Sequence, residues 1–223
     1  MNQFDLIEIL AKLGMFFVPF LFALCFHEFA HGLVAKWRGD NTAQMMGRLT
    51  MNPVAHADPL GTWVLPIAAL ALNSLFFSGW EKPGPGKAEN QKRPRKDMLG
   101  VALAGPASNI LLALLGMFAL AFVYAHFRGG QGGAAYVQLL QSFLLVNLFL
   151  ALFNLIPIHP LDGGKVLAPF LPASWNIWLE QNQSMLNMGL LVFLLLAGRV
   201  LAAPVYYLVD MLQRMALSLS GIM

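Results

Sequence analysis

Phe26-His27-Glu28-Phe29-Ala30-His31 closes an apolar run that begins near Leu6, and this H-E-x-x-H pattern decides how the rest of the chain is read. On an α-helix, residues four apart share a face, with Cβ atoms roughly 5–6 Å apart. His27 and His31 can therefore reach one metal ion through Zn–N bonds of about 2.0–2.1 Å. Glu28 stands close enough to take a proton from a water on that ion. The bland alternative is two histidines and a glutamate that merely pack inside a helix. It is disfavoured, because each ionisable side chain near a bilayer centre costs roughly 2.5–3.5 kcal/mol.

The chain is a membrane protein by composition. Of its 223 residues 58% are hydrophobic and only 11% are charged, with mean hydropathy +0.63; a soluble domain carries about 25% charged residues. The formal charge of +3 is small and its basic residues gather in two loops, so nucleic acid is not an expected partner. One cysteine, Cys25, excludes an intrachain disulfide and a Cys-rich zinc site, and reads as a small packing residue. With Asp5 and Glu8 in place of a basic leader, the N-terminus does not read as a cleaved signal peptide.

The first helix is expected over about Leu6 to Ala35, with Pro19 kinking it, and is longer than the roughly 20 residues a bilayer needs. Acidic residues at its start and basic ones at its end place the motif end at the cytoplasmic face. A polar, turn-rich stretch, Gly47 to Pro59, precedes an apolar segment of only sixteen residues, Thr62 to Phe77, with Pro66 inside. A basic Pro/Gly-rich loop follows over Glu81 to Asp97. Two further apolar helices are expected at Leu99–Phe127 and about Tyr136–Ile156, the latter stopped by Pro157 and Pro160. Lys165 to Ser184, broken by Pro169 and Pro172, is expected at the membrane interface, and a last apolar helix runs from about Met185 to Met211.

Catalytic zinc keeps three protein ligands and one open position, so a third ligand must come from elsewhere. Asp162, between a helix end and Gly163-Gly164, is one candidate; Asp58, His56 and His159 are rivals, while His126 lies at the far end of its helix. If Asp162 is to meet the histidines, the third long helix must end on the face where the first ends. A full crossing by 62–77 would put it on the other face, with the most basic loop outside; a segment that dips and returns avoids both. A true span, with Asp162 reached from deep within the membrane, is the alternative. The expected fold is therefore an all-α polytopic bundle of about four full spans plus one re-entrant segment. Short β or loop elements lie on the cytoplasmic side, and the whole forms a single domain over 1–223, with a catalytic core over about 5–170 and a C-terminal helix over about 185–212.

His27-Glu28-Phe29-Ala30-His31, taken with Asn154-Leu155-Ile156-Pro157-Ile158-His159-Pro160-Leu161-Asp162-Gly163, resembles the site-2 protease family of intramembrane zinc metalloproteases. Gly47–Gly61, Trp80-Glu81-Lys82-Pro83 and Ala104-Gly105-Pro106 through Asn109 resemble its compact bacterial members, so the likeness covers most of residues 20 to 170. The resemblance implies one Zn2+ per chain held by His27, His31 and Asp162, with Glu28 as catalytic base. It also implies that Asn154 holds the scissile carbonyl or its oxyanion. His159 falls where the family pattern commonly has proline. Asn109 is open between helix packing and support of the site, and His56 and Asp58 read as turn residues.

The expected activity is cleavage of a transmembrane segment of a single-span membrane protein, in the cell membrane, with the active site toward the cytoplasm. An edge near Leu49–Asn52 or Glu81–Gly86 is expected to pair with the unwound substrate by β-addition. No loop is long enough for an inserted PDZ-like domain, so substrate sorting falls to the core, to homo-oligomerisation or to a separate protein. A divalent-metal transporter and a non-cleaving homologue are the competing readings; Glu28 discriminates, since neither needs a base.

Overall fold

The computed structural model describes residues 3–56, 94–127 and 131–221, and every regular element among them is helical. Helix α1 spans Gln3–Trp37 and carries Pro19 inside it. It ends as its sequence asks: Gly39 adopts φ 104°, its N–H bonds Lys36 C=O, and Asp40 N–H reaches back to Ala35 C=O. This left-handed cap satisfies carbonyls that the helix end would leave bare. Two single-turn helices follow, α2 (Thr42–Met45) and α3 (Pro53–His56), both packed on α1.

Helix α4 covers Pro94–His126 and α5 covers Gln131–Asn154. Asp97 in the first turn of α4 is buried and accepts from the Arg38 guanidinium at 3.2 Å, pinning the start of α4 to the end of α1. A carboxylate is also favoured at a helix N-terminus by the backbone dipoles. Helices α4 and α5 run antiparallel and cross closely at Gly116, where a Cβ would stand 2.8 Å from the Phe143 ring. Beyond α5 come α6 (Asp162–Leu167), a 3-10 turn at Ala168–Phe170, α7 (Ala173–Gln181) and α8 (Gln183–Leu219), which bends by 53° between Leu194 and Leu196.

Helix α5 sits centrally. One face, through Val146 and Leu150, meets Phe16, Phe20, Ala23 and Leu24 of α1. Another, through Leu144, Leu148 and Phe149, meets Ala113, Met117, Leu120 and Ala121 of α4 and Val205, Val209, Leu212 and Ala216 of α8. The outer faces stay apolar: Leu111, Leu115, Phe118 and Phe122 of α4 are all more than half exposed, which suits lipid and not water. Among the described residues, three helices are long and apolar enough to cross a membrane, or four if the two arms of α8 form one span. The chain is a multi-pass membrane protein.

The three long helices expected from the sequence are present: α1 is longer at both ends, while α4 and α5 start earlier than expected and stop one to two residues sooner. The final helix, α8, overruns its expected end at Met211 by eight residues, because the apolar stripe through Val205, Val209 and Leu212 continues to Ala216. Leu49–Asn52, expected to offer a strand edge, is instead a run of bends. Thr50 Oγ1 accepts Asn52 N–H and Asn52 Oδ1 accepts Val54 N–H, so side chains take the backbone donors that a ladder would use. The segment 62–77, the 81–86 loop and Asp58 lie outside the described residues.

Candidate metal centre

The last third of α1, the start of α4 and the start of α6 converge, and their polar side chains meet in a buried cluster. His27 and His31, one helical turn apart, point their Nε2 atoms at each other across 3.0 Å. Asp162 Oδ2 stands 3.1 Å from both. Side-chain exposure is only 6% for His27, 4% for Asp162 and 14% for His31, so the three face one another and not bulk water. Glu28 offers a carboxylate oxygen within 4.8 Å of both imidazoles.

Each imidazole is oriented from behind. His31 Nδ1–H donates to the Val101 backbone carbonyl at 2.6 Å, and a carbonyl can only accept. His27 Nδ1–H donates to Asn109 Oδ1, also at 2.6 Å. Asn109 is fully buried, and its Nδ2 donates to Ala23 C=O at 3.1 Å and to Asn147 Oδ1 at 2.9 Å. With both Nδ1 atoms protonated, neutral Nε2 atoms are bare acceptors. Two such nitrogens and a carboxylate oxygen at 3.0–3.1 Å therefore repel unless a cation sits among them. A tetrahedral ion with bonds of about 2.0–2.1 Å asks for ligand atoms roughly 3.3–3.4 Å apart, a few tenths more than found. Two imidazoles, one carboxylate and outer-shell acceptors on each Nδ1 make a donor set that fits zinc.

Two glycine-bearing sequences make this convergence possible. A Cβ on Gly105 would stand 2.5 Å from His27 Nε2 and closer still to His31 Nε2. Only a bare Cα lets α4 approach the pair. Gly163 and Gly164 fold α6 back against the turn after α5: Cβ atoms there would strike the backbone of Leu155–Ile156 and of Ile158–His159. That fold-back carries Asp162 into the bundle. Without a cation, protons must take its place: burial alone would raise the Asp162 carboxyl, but with His31 protonated its charge, hydrogen bonds at both imidazoles and Lys165 together hold it well below the usual carboxylate range. Lys165 Nζ lies 2.9 Å from the outer oxygen, Oδ1, of Asp162.

The remaining candidates separate from this cluster. Asn154 ends α5 and donates to Leu150 C=O of its own helix at 3.0 Å. His56 is buried and donates to Thr50 C=O at 2.8 Å, as a turn residue would. His126 is exposed at the far end of α4 and bonds Phe122 C=O. His159 Nε2 is buried with no hydrogen-bond partner among the described residues, and burial followed by Lys165 pushes that imidazole below its ordinary value. The sequence reading missed Asn147, whose signal was a lone amide inside the apolar run Phe143–Phe153, and it did not foresee the Val101 carbonyl.

Residues 129–197 match the family model described as Peptidase family M50. A Bacillus subtilis (strain 168) protein named “Putative zinc metalloprotease YwhC” is 36% identical over 183 residues, covering 80% of this chain and 78% of its own length. The chain belongs to peptidase family M50, the site-2 proteases. It is thus a metalloprotease by family. “Putative zinc metalloprotease Rip2” of Mycolicibacterium smegmatis is 35% identical over 173 residues, 75% of this chain and 62% of the relative. Its namesake in Mycobacterium tuberculosis (strain Erdman) is 30% identical over 201 residues, 85% and 71%. No solved structure matches the chain significantly. The M50 segment takes in α5, α6, α7 and the first arm of α8, and so contains Asn154 and Asp162.

Proposed function

We propose that this M50 protein is an intramembrane zinc endopeptidase that hydrolyses a peptide bond in the transmembrane segment of a single-span membrane protein. The observation that carries the reading is the meeting of His27 Nε2 and His31 Nε2, beside Glu28, with Asp162 Oδ2 from 131 and 135 positions further along the chain. In this reading His27, His31 and Asp162 hold the ion. Bound there, zinc supplies a Lewis acid and makes water a competent nucleophile near neutral pH. Glu28 takes the proton of the attacking water and delivers it to the leaving amine, a role worth about 10²–10⁴-fold in rate. Asn154, freed from its Leu150 contact, donates its amide to the oxygen of the scissile carbonyl. Val101 and Asn109 keep both imidazoles turned with Nε2 inward.

The arrangement in the membrane belongs to the same proposal. The flanks of the undescribed stretch, residues 40–56 and the start of α4, both lie at the motif end of α1, which supports four spans with a returning segment at 62–77. Lys36 and Arg38 at the end of α1, Arg48 beyond it, and Arg95 and Lys96 in the first turn of α4 belong to that end, which supports a cytoplasmic active site in the cell membrane by the positive-inside rule. Residues 1–223 are then one membrane-embedded protease domain, with the catalytic core over about 5–170 and the C-terminal helix over about 185–212, and homo-oligomerisation is open to it.

The test is cleavage in proteoliposomes containing a panel of single-span membrane proteins. Wild type is expected to cut within or beside the apolar segment of at least one, chelator is expected to stop it, and Glu28→Gln is expected to retain zinc while losing activity. A Glu28→Gln protein as active as wild type would overturn the reading. So would metal flux across the vesicle membrane that survives this substitution, which would favour a transporter.

A further inference from the structure

We propose that Asn147, in the middle of α5, is a positioning residue for the metal centre: it fixes the polarity of the Asn109 amide and thereby the His27 tautomer that turns Nε2 toward the ion. The inference rests on the metal-site reading above.

Asn147 is fully buried, and it touches neither Asp162 nor an imidazole by any contact the structure records. Its own amide is oriented by its helix, since Nδ2 donates to Phe143 C=O at 2.9 Å. That leaves Oδ1 pointing at α4, where it accepts from Asn109 Nδ2. Asn109 has the symmetric choice that every amide has: flipping it would exchange its oxygen and nitrogen. Flipped, its oxygen would oppose two acceptors, Ala23 C=O and Asn147 Oδ1, and its nitrogen would face His27 Nδ1. The imidazole would then have to move its proton to Nε2, where an N–H excludes a metal bond. Two acceptors thus choose the Asn109 orientation, one from the backbone and one from Asn147. His31 needs no such device, because the Val101 carbonyl cannot be flipped.

A polar side chain in the α4–α5 contact is expensive in an apolar setting unless satisfied. All of the His27–Asn109–Asn147 chain is satisfied, with donation running one way only, from α1 through α4 to α5. A merely structural asparagine pair would stabilise α4 on α5 without regard to which way the Asn109 amide points.

The experiment is a double-mutant cycle on zinc affinity, by competition with a chromophoric chelator, using full-length protein in detergent. Outer-shell partners of ligating histidines typically control about 10–100-fold in affinity. Asn109→Ala is expected in that range, and Asn147→Leu and Asn147→Ala at about tenfold or somewhat less, since Ala23 still argues for the same orientation. Asn147→Asp, buried and neutral, keeps both the donor and the acceptor and is expected within about threefold of wild type. In an Asn109→Ala background, Asn147→Leu is expected to cost nothing further, because the residue acts only through Asn109. Cobalt-substituted protein is expected to show an altered d–d spectrum for Asn147→Leu and the wild-type spectrum for Asn147→Asp. Additive effects in the cycle, or Asn147 variants that all bind zinc as wild type does, would overturn the inference while leaving the metal site standing. A wild-type protein that binds no zinc would overturn both.

Discussion

Replacing Gly105 with alanine is the smallest change that should empty the site. The added Cβ would lie 2.5 Å from His27 Nε2, 2.6 Å from His27 Cε1 and nearer still to His31 Nε2. Ordinary contact needs about 3.4 Å or more, so both imidazoles or the α4 backbone must yield by nearly an ångström. The imidazoles are held at 2.6 Å from behind by Asn109 and Val101 and have no room to retreat. Overpacking of this kind costs about 1–3 kcal/mol, while alanine in mid-helix returns about 0.8–1.0 kcal/mol relative to glycine. The fold should therefore survive, with at most about 2 kcal/mol lost. Zinc affinity should fall by at least 100-fold, since displaced ligands lose more than the 10–100-fold typical of their supporting partners. Gly100→Ala is the control on the same helix: its Cβ would meet only an Arg38 nitrogen at 3.8 Å, so it should bind zinc as wild type does. Metal stoichiometry by mass spectrometry, with melting curves in detergent, reads both quantities. A Gly105→Ala protein that melts near wild type and keeps full zinc affinity would refute the reasoning that α4 closes over the two Nε2 atoms.

Other outcomes follow from the same geometry. Asn154→Ala should lower kcat of substrate cleavage by about 10²–10³-fold, as loss of an oxyanion donor does, and leave zinc content unchanged; equal loss of zinc would assign it to the site's framework instead. Lys165→Met should change stability by under about 1 kcal/mol, since the lysine is half exposed and screened, as measured by chemical denaturation. Asp162 is held well below its usual range, so its stabilising contribution in the metal-free chain is present above about pH 3.9 and is lost as pH falls through that value toward the depressed one. The melting difference between wild type and Asp162→Asn should accordingly be flat from pH 7 to 5 and shrink below about pH 4; a difference that fades between pH 7 and 6 would point to another group.

Much of this was legible in the residues themselves. The i, i+4 histidines needed only helical periodicity, and four helix boundaries followed from proline, glycine and apolar run length. The fold-back that delivers Asp162 was readable as Asp162-Gly163-Gly164, because two adjacent positions without Cβ signal backbone against backbone. What the sequence withheld was three-body. Asn109 read evenly as packing or support, since its two acceptors and one donor come from α1 and α5 at separations of 86, 38 and 82 residues. The Val101 carbonyl has no side-chain signature at all. The strand expected at Leu49–Asn52 failed for a local reason: threonine and asparagine there satisfy nearby backbone donors themselves. Likewise α8 outran its expected end because its packing against α4 and α5 continues to Ala216.

The most direct measurement is X-ray absorption at the zinc edge on purified protein, run beside Asp162→Asn and His31→Ala. The account expects one zinc per wild-type chain with two imidazole nitrogens and a carboxylate oxygen at about 2.0–2.2 Å, and weakened or absent metal in each variant. Zinc bound equally well, with an unchanged ligand shell, after Asp162 is removed would contradict it.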